Sequence, residues 1–545
     1  MVHIDANDPS VARQAKAWLD ACLEEHDECR RLHWSGVNPT RLIRILDGER
    51  VQIVKLADSL NVRYVALSYC WGDLNDEERT LVDRGNTWSA SEERRLSPFS
   101  ISEFPKTIVD AIKFTRDVGI EYIWIDAVCI LRDESPNPDK THELGLMHTY
   151  YGNALFTLSL SSTTKATEGF LRPRNAWRYM ESSCSLNGYE IISIDTTLDD
   201  AREHSPLAGR AWTLQEELLS PKRIYWFAQG MYWSCAQAQW IEGVKEPKFR
   251  PTPRVAEINL VMSLEENFLL ACRKDRAEVV RTEWLRSVES YAKRDIGRSV
   301  DRFAAISGIA ARYHDSFQGL DQYVAGLWRS GLPEHLGWRV VSLADRDGCD
   351  DVLKSIPSWS WAALPMKTMI WTHPKRFSSI YEPSTNDLEL KLDSLPVQNP
   401  KWHADEAVHQ GSLIKSIKVK GRLRPFWSDT STLKPWKEVF VINKQGTEVL
   451  SDDFSVDDSV HAIHTSDGRM VVTGNRKDEV YGHLDFVQDI ERAFSGSLEV
   501  NCLQLSSSSM LLLEQCGDMI YRRVGVSRNF WPGFFARFDL VEVTL

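Results

Sequence analysis

A regular alternation of apolar and amphipathic segments between residues 64 and 228 constrains the fold more than any other feature of the sequence. The segments Tyr64-Val-Ala-Leu-Ser-Tyr-Cys70 and Tyr122-Ile-Trp-Ile-Asp126 are nearly continuous apolar runs, typical of strands buried on both faces. A helical pattern begins between them at Pro105 and ends at Gly119. Strand alternating with helix predicts an α/β domain with a wound, mainly parallel sheet. Ligands are then expected at the carboxyl ends of its strands.

The rest of the chain divides by pattern, because 545 residues exceed the size of one hydrophobic core. We predict an N-terminal helix from Pro9 to about Leu32, and a charged helical layer after the α/β domain. Short alternating segments separated by turn residues predict a β-rich C-terminal part. The predicted regions are residues 1–63 (helix and extended lead-in), 64–250 (α/β domain), 251–345 (helical region) and 346–545 (β-rich region).

Composition excludes several classes of partner. The formal net charge of -12 opposes general attraction to nucleic acid or anionic lipid. No apolar run approaches the roughly 18 residues of a membrane span, and the N-terminus lacks the pattern of a secretory signal. We therefore expect the protein in the cytoplasm, with the nucleus as the alternative. There the ten Cys residues would be reduced and mostly buried.

Cys22, His26, Cys29 and His33 recur at helical spacing and raise the question of a metal site. On one continuous helix these side chains would form a line along one face. Four ligands in a line cannot surround a tetrahedral ion, so the sequence predicts no bound metal and favours packing of the helix. The alternative is a pair of these residues that binds a metal together with ligands from elsewhere in the chain.

Five motifs follow one another in order between residues 64 and 216. They are Tyr64 to Gly72, Pro105 to Ile112, Trp124 to Ile130, the spacing of Glu143, Met147, Tyr151 and Ala154, and Arg210-Ala-Trp-Thr-Leu-Gln-Glu216. In order and wording they resemble the heterokaryon-incompatibility (HET) domain of fungal proteins. One position departs from the family pattern. Arg132 stands where the family usually has glutamine, which puts one ligand contact in doubt.

The resemblance implies a role in fungal non-self recognition and programmed cell death. HET domains are also distantly similar to TIR domains, a flavodoxin-like fold in which some members hydrolyse NAD. Trp212 and Glu216 resemble the tryptophan and catalytic glutamate of those enzymes, and a spacing of four places both on one helix face. The resemblance thus implies NAD as a substrate and no bound cofactor. Gln215, in the same motif, is a predicted ligand-binding residue.

Residue chemistry adds candidates to this site. Asp126 ends an apolar strand, where a carboxylate needs a partner, and Arg210 is the candidate. Asp126 and Glu216 are the predicted catalytic pair, since carboxylates stabilise an oxocarbenium-like transition state. Tyr69, Trp71 and Gly72 end the first strand, where an aromatic ring would stack on a ligand base. For each of these residues a purely structural role is the alternative.

Other functions stay open on sequence alone. The α/β domain would serve equally as a non-enzymatic signalling module that assembles with itself or a protein partner, or as a small-molecule-modifying enzyme of secondary metabolism. A Cys nucleophile at Cys70 or Cys129 with His142 or His148 as base lacks a third, orienting group.

Overall fold

A computed structural model gives the fold of the protein. The described residues are 5–31, 37–47, 49–56, 62–72, 96–131, 138–174, 183–186, 189–192, 198–242, 248–249, 273–316, 321–340, 347, 349–365, 367–368, 370–371, 389–391, 418–426, 461–464, 469–473, 480–486, 488–489, 492, 498–505, 509–528 and 540–545. Arg132 and His33, both named above, lie outside them.

The chain divides into two compact units. One comprises Met1–Arg276, Ala304–Arg312 and Lys401–Asp405, and the other Ala277–Phe303, Tyr313–Pro400 and Glu406–Leu545. The four predicted regions remain predictions. Among the described residues no helix has both the length and the apolar character that crossing a bilayer requires.

The α/β domain and its flanks form one mixed sheet. In the described part, the helices up to residue 219 are α1 (Pro9–Glu25), α2 (Asp27–Arg31), α3 (Lys106–Asp117), α4 (Asp126–Cys129), α5 (Pro138–Asn153), α6 (Leu198–Glu203) and α7 (Ala211–Leu219). The strands are β1 (Arg41–Ile45), β2 (Arg50–Lys55), β3 (Val65–Ser68), β4 (Phe99–Ser100), β5 (Tyr122–Trp124), β6 (Phe156–Ser159), β7 (Ser183–Leu186), β8 (Tyr189–Ile192), β9 (Lys222–Phe227), β10 (Gly230–Cys235), β11 (Ala238–Ile241) and β12 (Lys248–Phe249).

The sheet order confirms the predicted α/β class. Within the described residues the order is β12-β11-β10-β9-β6-β3-β5-β1-β2-β4, and β7 pairs with β8 separately. The neighbours β5, β3, β6 and β9 pair in parallel, and β3 is buried along its whole length, as the apolar run predicted. Antiparallel strands extend both sides. The lead-in strand β1 pairs with β5, which the sequence pattern did not indicate.

The later part of the chain is helical and then β-rich, as predicted. Its helices are α8 (Arg273–Ala292), α9 (Ala304–Ser316), α10 (Leu332–His335) and α11 (Asp351–Ser355). Its short strands are β13 (Tyr323–Val324), β14 (Leu327–Trp328), β15 (Arg339–Val340) and β16 (Ile370–Trp371). In the described residues a nine-stranded sheet follows, built from β17 (Glu389–Lys391), β18 (Lys418–Phe426), β19 (His461–His464), β20 (Arg469–Thr473), β21 (Val480–Leu484), β22 (Val500–Gln504), β23 (Ser509–Gly517), β24 (Ile520–Arg528) and β25 (Leu540–Thr544).

The predicted N-terminal helix is wrong in one respect. It is not continuous to Leu32, because α1 ends at Glu25 and His26 adopts an extended conformation (φ -100°, ψ 100°) before α2 begins. Arg30 donates hydrogen bonds to the carbonyl oxygens of Leu23 and Glu24 and so caps the end of α1. Cys22, His26 and Cys29 therefore do not lie along one straight helix, the arrangement on which the prediction of no bound metal rested.

Asp110 fixes the loop that covers α3. Its buried carboxylate accepts hydrogen bonds from the backbone N–H groups of Phe170 (2.8 Å) and Leu171 (3.1 Å) and pairs with Lys106. Gly169 lies against it with φ +69°, where an added Cβ would lie 2.6 Å from the Asp110 carboxylate. Asp110, part of the second motif, is therefore structural.

We predict that Asp110→Ala lowers the free energy of unfolding by about 2–4 kcal/mol, because it leaves two backbone N–H groups without an acceptor. Urea denaturation measures this change. Asp117→Ala, on the same helix but exposed and paired with Arg116, is the matched control and should change stability by less than about 1 kcal/mol. Equal effects of the two changes would contradict a special role for Asp110.

Candidate functional site at the carboxyl ends of the parallel strands

The parallel register brings the predicted strand-end residues to one edge of the sheet. Val65 aligns with Ile123 and Ala66 with Trp124, so β3 and β5 end side by side. Trp71 follows β3 after a short turn, and Asp126 follows β5 as the first residue of α4. Their positions at the same edge agree with the sequence-based expectation.

Glu216, on α7, lies at this edge of the sheet. Its side chain is buried, and burial raises the pKa of its carboxyl group from the ordinary 4.5 to about 7. A hydrogen bond with the Ser68 hydroxyl opposes that shift, while the carboxylate of Asp126 adds to it. Two carboxyl groups and a hydroxyl therefore converge where β3 and β5 end.

Tyr151, on α5, completes the surroundings of Glu216. Its hydroxyl group lies 3.1 Å from the carbonyl oxygen of Leu67 and within hydrogen-bonding reach of the Glu216 carboxyl. Burial, together with the nearby carboxylates of Glu216 and Asp126, raises the pKa of this phenol well above its usual value. Tyr151 thus stays protonated at neutral pH and can donate a hydrogen bond.

One oxygen of Glu216 is left without a hydrogen bond. Oε2 is buried and has no partner among the described residues. A buried polar atom of this kind is costly and tends to mark a functional site. With its raised pKa, Glu216 can hold a proton or carry a charge at neutral pH, as a general acid or base requires.

Arg210 lies close enough to Glu216 and Asp126 for its charge to interact with both carboxyl groups, and its pairing with Asp126 stays a prediction. Burial alone would lower the pKa of its guanidinium group. The side chain of Cys70 and the carboxylates of Glu216 and Asp126 outweigh burial and raise that pKa. Arg210 Nη1 also donates to the carbonyl oxygen of Tyr69 over 3.4 Å.

The remaining predicted residues of α7 divide between two environments. Trp212 is partly exposed and packs against the core of the α/β domain. Gln215 is buried and faces α9, since a Cβ added to Gly308 would lie 2.7 Å from Gln215 Oε1. Glu217 turns elsewhere and accepts a hydrogen bond from Arg202 Nε over 2.7 Å. Gln215 Nε2 is buried without a hydrogen-bond partner among the described residues, so the role of Gln215 in ligand binding stays a prediction.

Tyr69, Trp71 and Gly72 form the turn after β3. The rings of Tyr69 and Trp71 are stacked with centroids 6.3 Å apart, and Trp71 is the more exposed of the two. Gly72 has φ +78°, and a Cβ there would lie 2.6 Å from the carbonyl oxygen of Thr164. The turn needs glycine for this close approach, so Gly72 shapes the site through the backbone.

The candidate thiol nucleophiles lie in unfavourable environments. Burial raises the pKa of Cys70, and it raises the pKa of Cys129 to about 12. Burial also lowers the pKa of His148 to about 4, so this imidazole is a weak base. A thiolate is the reactive form of cysteine, and these environments disfavour it.

Tyr151 and Ser68 are site residues that the sequence alone did not indicate. Both residues lie inside the five ordered motifs of the sequence, but the periodicity of a helix or strand predicts only that their side chains face the interior. A separate cleft of about 330 Å³ opens near the carboxyl ends of β6 and β9, and Arg174 and Trp226 line it. The predicted site residues do not line this cleft.

Comparison with known protein families matches residues 64–216 to the model described as "Heterokaryon incompatibility protein (HET)". The match begins one residue before β3 and ends at Glu216, so it contains every predicted site residue. Searches of curated proteins and of solved structures gave no match to the chain.

The raised pKa of Glu216 predicts a pH-dependent stability. Because its carboxyl group binds a proton more tightly in the folded state, the fold loses stability as pH rises from about 4.5 to about 7. The loss is roughly 3 kcal/mol at full ionisation. Glu216→Gln should remove this loss of stability. The variant should therefore be more stable than the wild type by a similar amount near pH 8, and by little near pH 5.

Urea denaturation at the two pH values measures the difference. Glu217→Gln is the matched control, because its partly exposed ion pair with Arg202 should contribute at most about 1 kcal/mol. A Glu216→Gln variant less stable than the wild type at pH 8 would show that the folded protein favours the charged carboxylate.

Proposed function

Because residues 64–216 form a heterokaryon-incompatibility (HET) domain, we propose that the protein acts in fungal non-self recognition as an effector of programmed cell death that hydrolyses NAD. The HET domain itself relates the chain to heterokaryon incompatibility. NAD hydrolysis is the activity for which the strand-end site offers suitable groups. Self-assembly or a protein partner would control it.

The environment of Glu216 carries this proposal. The carboxyl group is buried, keeps one oxygen without a hydrogen bond, and has a pKa near neutrality. Asp126 supplies a second carboxylate, while Ser68 and Tyr151 supply hydroxyl groups. Titratable groups with perturbed pKa values cluster in this way at sites of acid and base chemistry.

The reaction would break the bond between the nicotinamide nitrogen and C1 of the ribose. The bonding electrons leave with nicotinamide, and the ribose passes through an oxocarbenium-like state that a carboxylate stabilises. Water then adds to C1 and gives up a proton, which a deprotonated Glu216 or Asp126 accepts. The products are nicotinamide, ADP-ribose and one proton, so the reaction needs no cofactor.

Other residues would hold the substrate. The partly exposed ring of Trp71 would stack on a planar base, and Trp212 lies on the same helix as Glu216. Arg210 carries a positive charge next to both carboxyl groups and is partly exposed. It would donate hydrogen bonds to ribose hydroxyl or phosphate oxygens.

One observation favours the alternative of a non-enzymatic signalling module. Oε2 of Glu216 is buried, so substrate reaches it only if neighbouring side chains move. In this alternative Asp126, Arg210 and Trp212 hold the α/β domain together, and assembly rather than catalysis produces the signal.

We expect Glu216→Gln to lower NAD hydrolysis by about 10² to 10³-fold, because it removes the charge that stabilises the ribosyl cation while keeping side-chain size. Chromatography of nicotinamide release by the purified full chain measures the rate. Glu217→Gln is the control and should keep nearly full activity, because a helical step of about 100° turns it to another face.

Two results would contradict the proposal. The first is wild-type protein that releases no nicotinamide from NAD, either when purified or in cells undergoing the death response. The second is equal activity of the two variants. A death response that survives Glu216→Gln would favour the non-enzymatic module.

A further inference from the structure

Four ligand-type side chains converge away from the strand-end site. They are Cys22 on α1, His26 between α1 and α2, Cys29 on α2, and Cys235 at the end of β10. One ligand atom from each lies within 4.8 Å of every other, and all four residues are buried. His26 Nδ1 lies 3.3 Å from Cys235 Sγ and 3.8 Å from Cys29 Sγ.

The break between α1 and α2 makes this convergence possible. A straight helix would place Cys22, His26 and Cys29 in a line. The extended backbone at His26 redirects the chain, and α2 then returns Cys29 towards Cys22. Arg30 stabilises the break, since it donates to two carbonyl oxygens at the end of α1 and pairs with Asp27.

The fourth member comes from a distant part of the chain. Cys235 lies 209 residues after His26 and ends the strand before the β10–β11 turn. Its sulfur therefore approaches from outside the two N-terminal helices. Four donors from three directions can surround an ion, whereas donors along one helix cannot.

Two of the separations agree with the geometry of a tetrahedral zinc ion. Zinc bonds of about 2.3 Å to sulfur and about 2.0–2.1 Å to nitrogen place bound sulfurs about 3.8 Å apart, and a sulfur and a nitrogen about 3.5 Å apart. The distances from His26 Nδ1 to the sulfurs of Cys235 and Cys29 lie on either side of that second value. All three cysteines are free thiols rather than disulfide partners.

We propose that Cys22, His26, Cys29 and Cys235 bind one zinc ion in a Cys3His site. Three soft sulfur donors and one imidazole form a ligand set typical of structural zinc. The protein supplies all four ligands, so no position is open for water or substrate. The site is therefore structural and not catalytic.

Neighbouring groups would orient the ligands. The backbone N–H of Gln237 donates to the sulfur of Cys29. The ring of Trp240 stacks on His26, with centroids 5.4 Å apart and an interplanar angle of 11°. Hydrogen bonds to metal-bound sulfur and packing of the ligating imidazole are common features around bound metals.

The position of the site suggests what zinc would do. Cys22, His26 and Cys29 precede the matched HET residues 64–216, and Cys235 follows them. Zinc would tie the N-terminal helices to the β10–β11 hairpin and so hold together two segments that flank the domain. Metal binding of this kind contributes directly to folding stability.

The test is the zinc content of the purified full chain, prepared without chelator and measured by plasma mass spectrometry. We expect about one zinc per chain in the wild type. Cys235→Ser should lose most of it, whereas Cys235→His should retain it, because imidazole replaces thiolate as a ligand. Cys129→Ser is the matched control, since Cys129 is a buried free thiol in the same unit outside the cluster.

If the variants fail to fold, a second measurement on the wild type still tests the proposal. Replacing zinc with Co²⁺ should give the strong visible absorption of a tetrahedral thiolate site, and chelator should lower the Tm. Wild-type protein that carries no zinc, takes up no Co²⁺ and keeps its Tm in chelator would overturn the proposal. So would a disulfide between any two of the three cysteines in protein purified without reductant, or full zinc content in Cys235→Ser.

Discussion

The parallel pairing of β3 with β5 and β6 determines where the other parts of the α/β domain lie. Parallel strands need helices on their faces, and the apolar sequence of β3, buried along its length, leaves no polar face for solvent. The same pairing makes the carboxyl ends of these strands coincide. Ser68 and Asp126 reach one edge through this register, and α5 and α7 bring Tyr151 and Glu216 to them.

The charges of two buried carboxyl groups in this domain have opposite effects on folding. Asp110 accepts two backbone N–H bonds and pairs with Lys106, so its charge stabilises a loop. Glu216 has one oxygen without a hydrogen bond, a carboxylate neighbour and a raised pKa, so its charge opposes folding. A group that weakens the fold in this way is more easily explained by function than by packing, because an apolar residue would fill the space at lower cost.

The folded domain is larger than the matched HET residues. The lead-in strands β1 and β2 join the sheet beside β5, and β10 to β12 extend its other side. Cys235 lies on β10, whereas Cys22, His26 and Cys29 come from the helical segment that precedes β1. The flanks therefore belong to the structural unit that supports the strand-end site, and a zinc ion between them would stabilise that unit.

Local periodicity determined most of the α/β domain. It predicted the buried strands, the helix between Pro105 and Gly119, and the positions of Trp71 and Asp126 at strand ends, because the burial of each element depends on its own residues. Tertiary structure alone decided the rest. Tyr151 joins Glu216, and Cys235 meets His26, only through strand order and the break after Glu25. Periodicity specifies which way a side chain faces within its own element, whereas contacts between residues far apart in the chain depend on register and crossover connections that no local pattern contains.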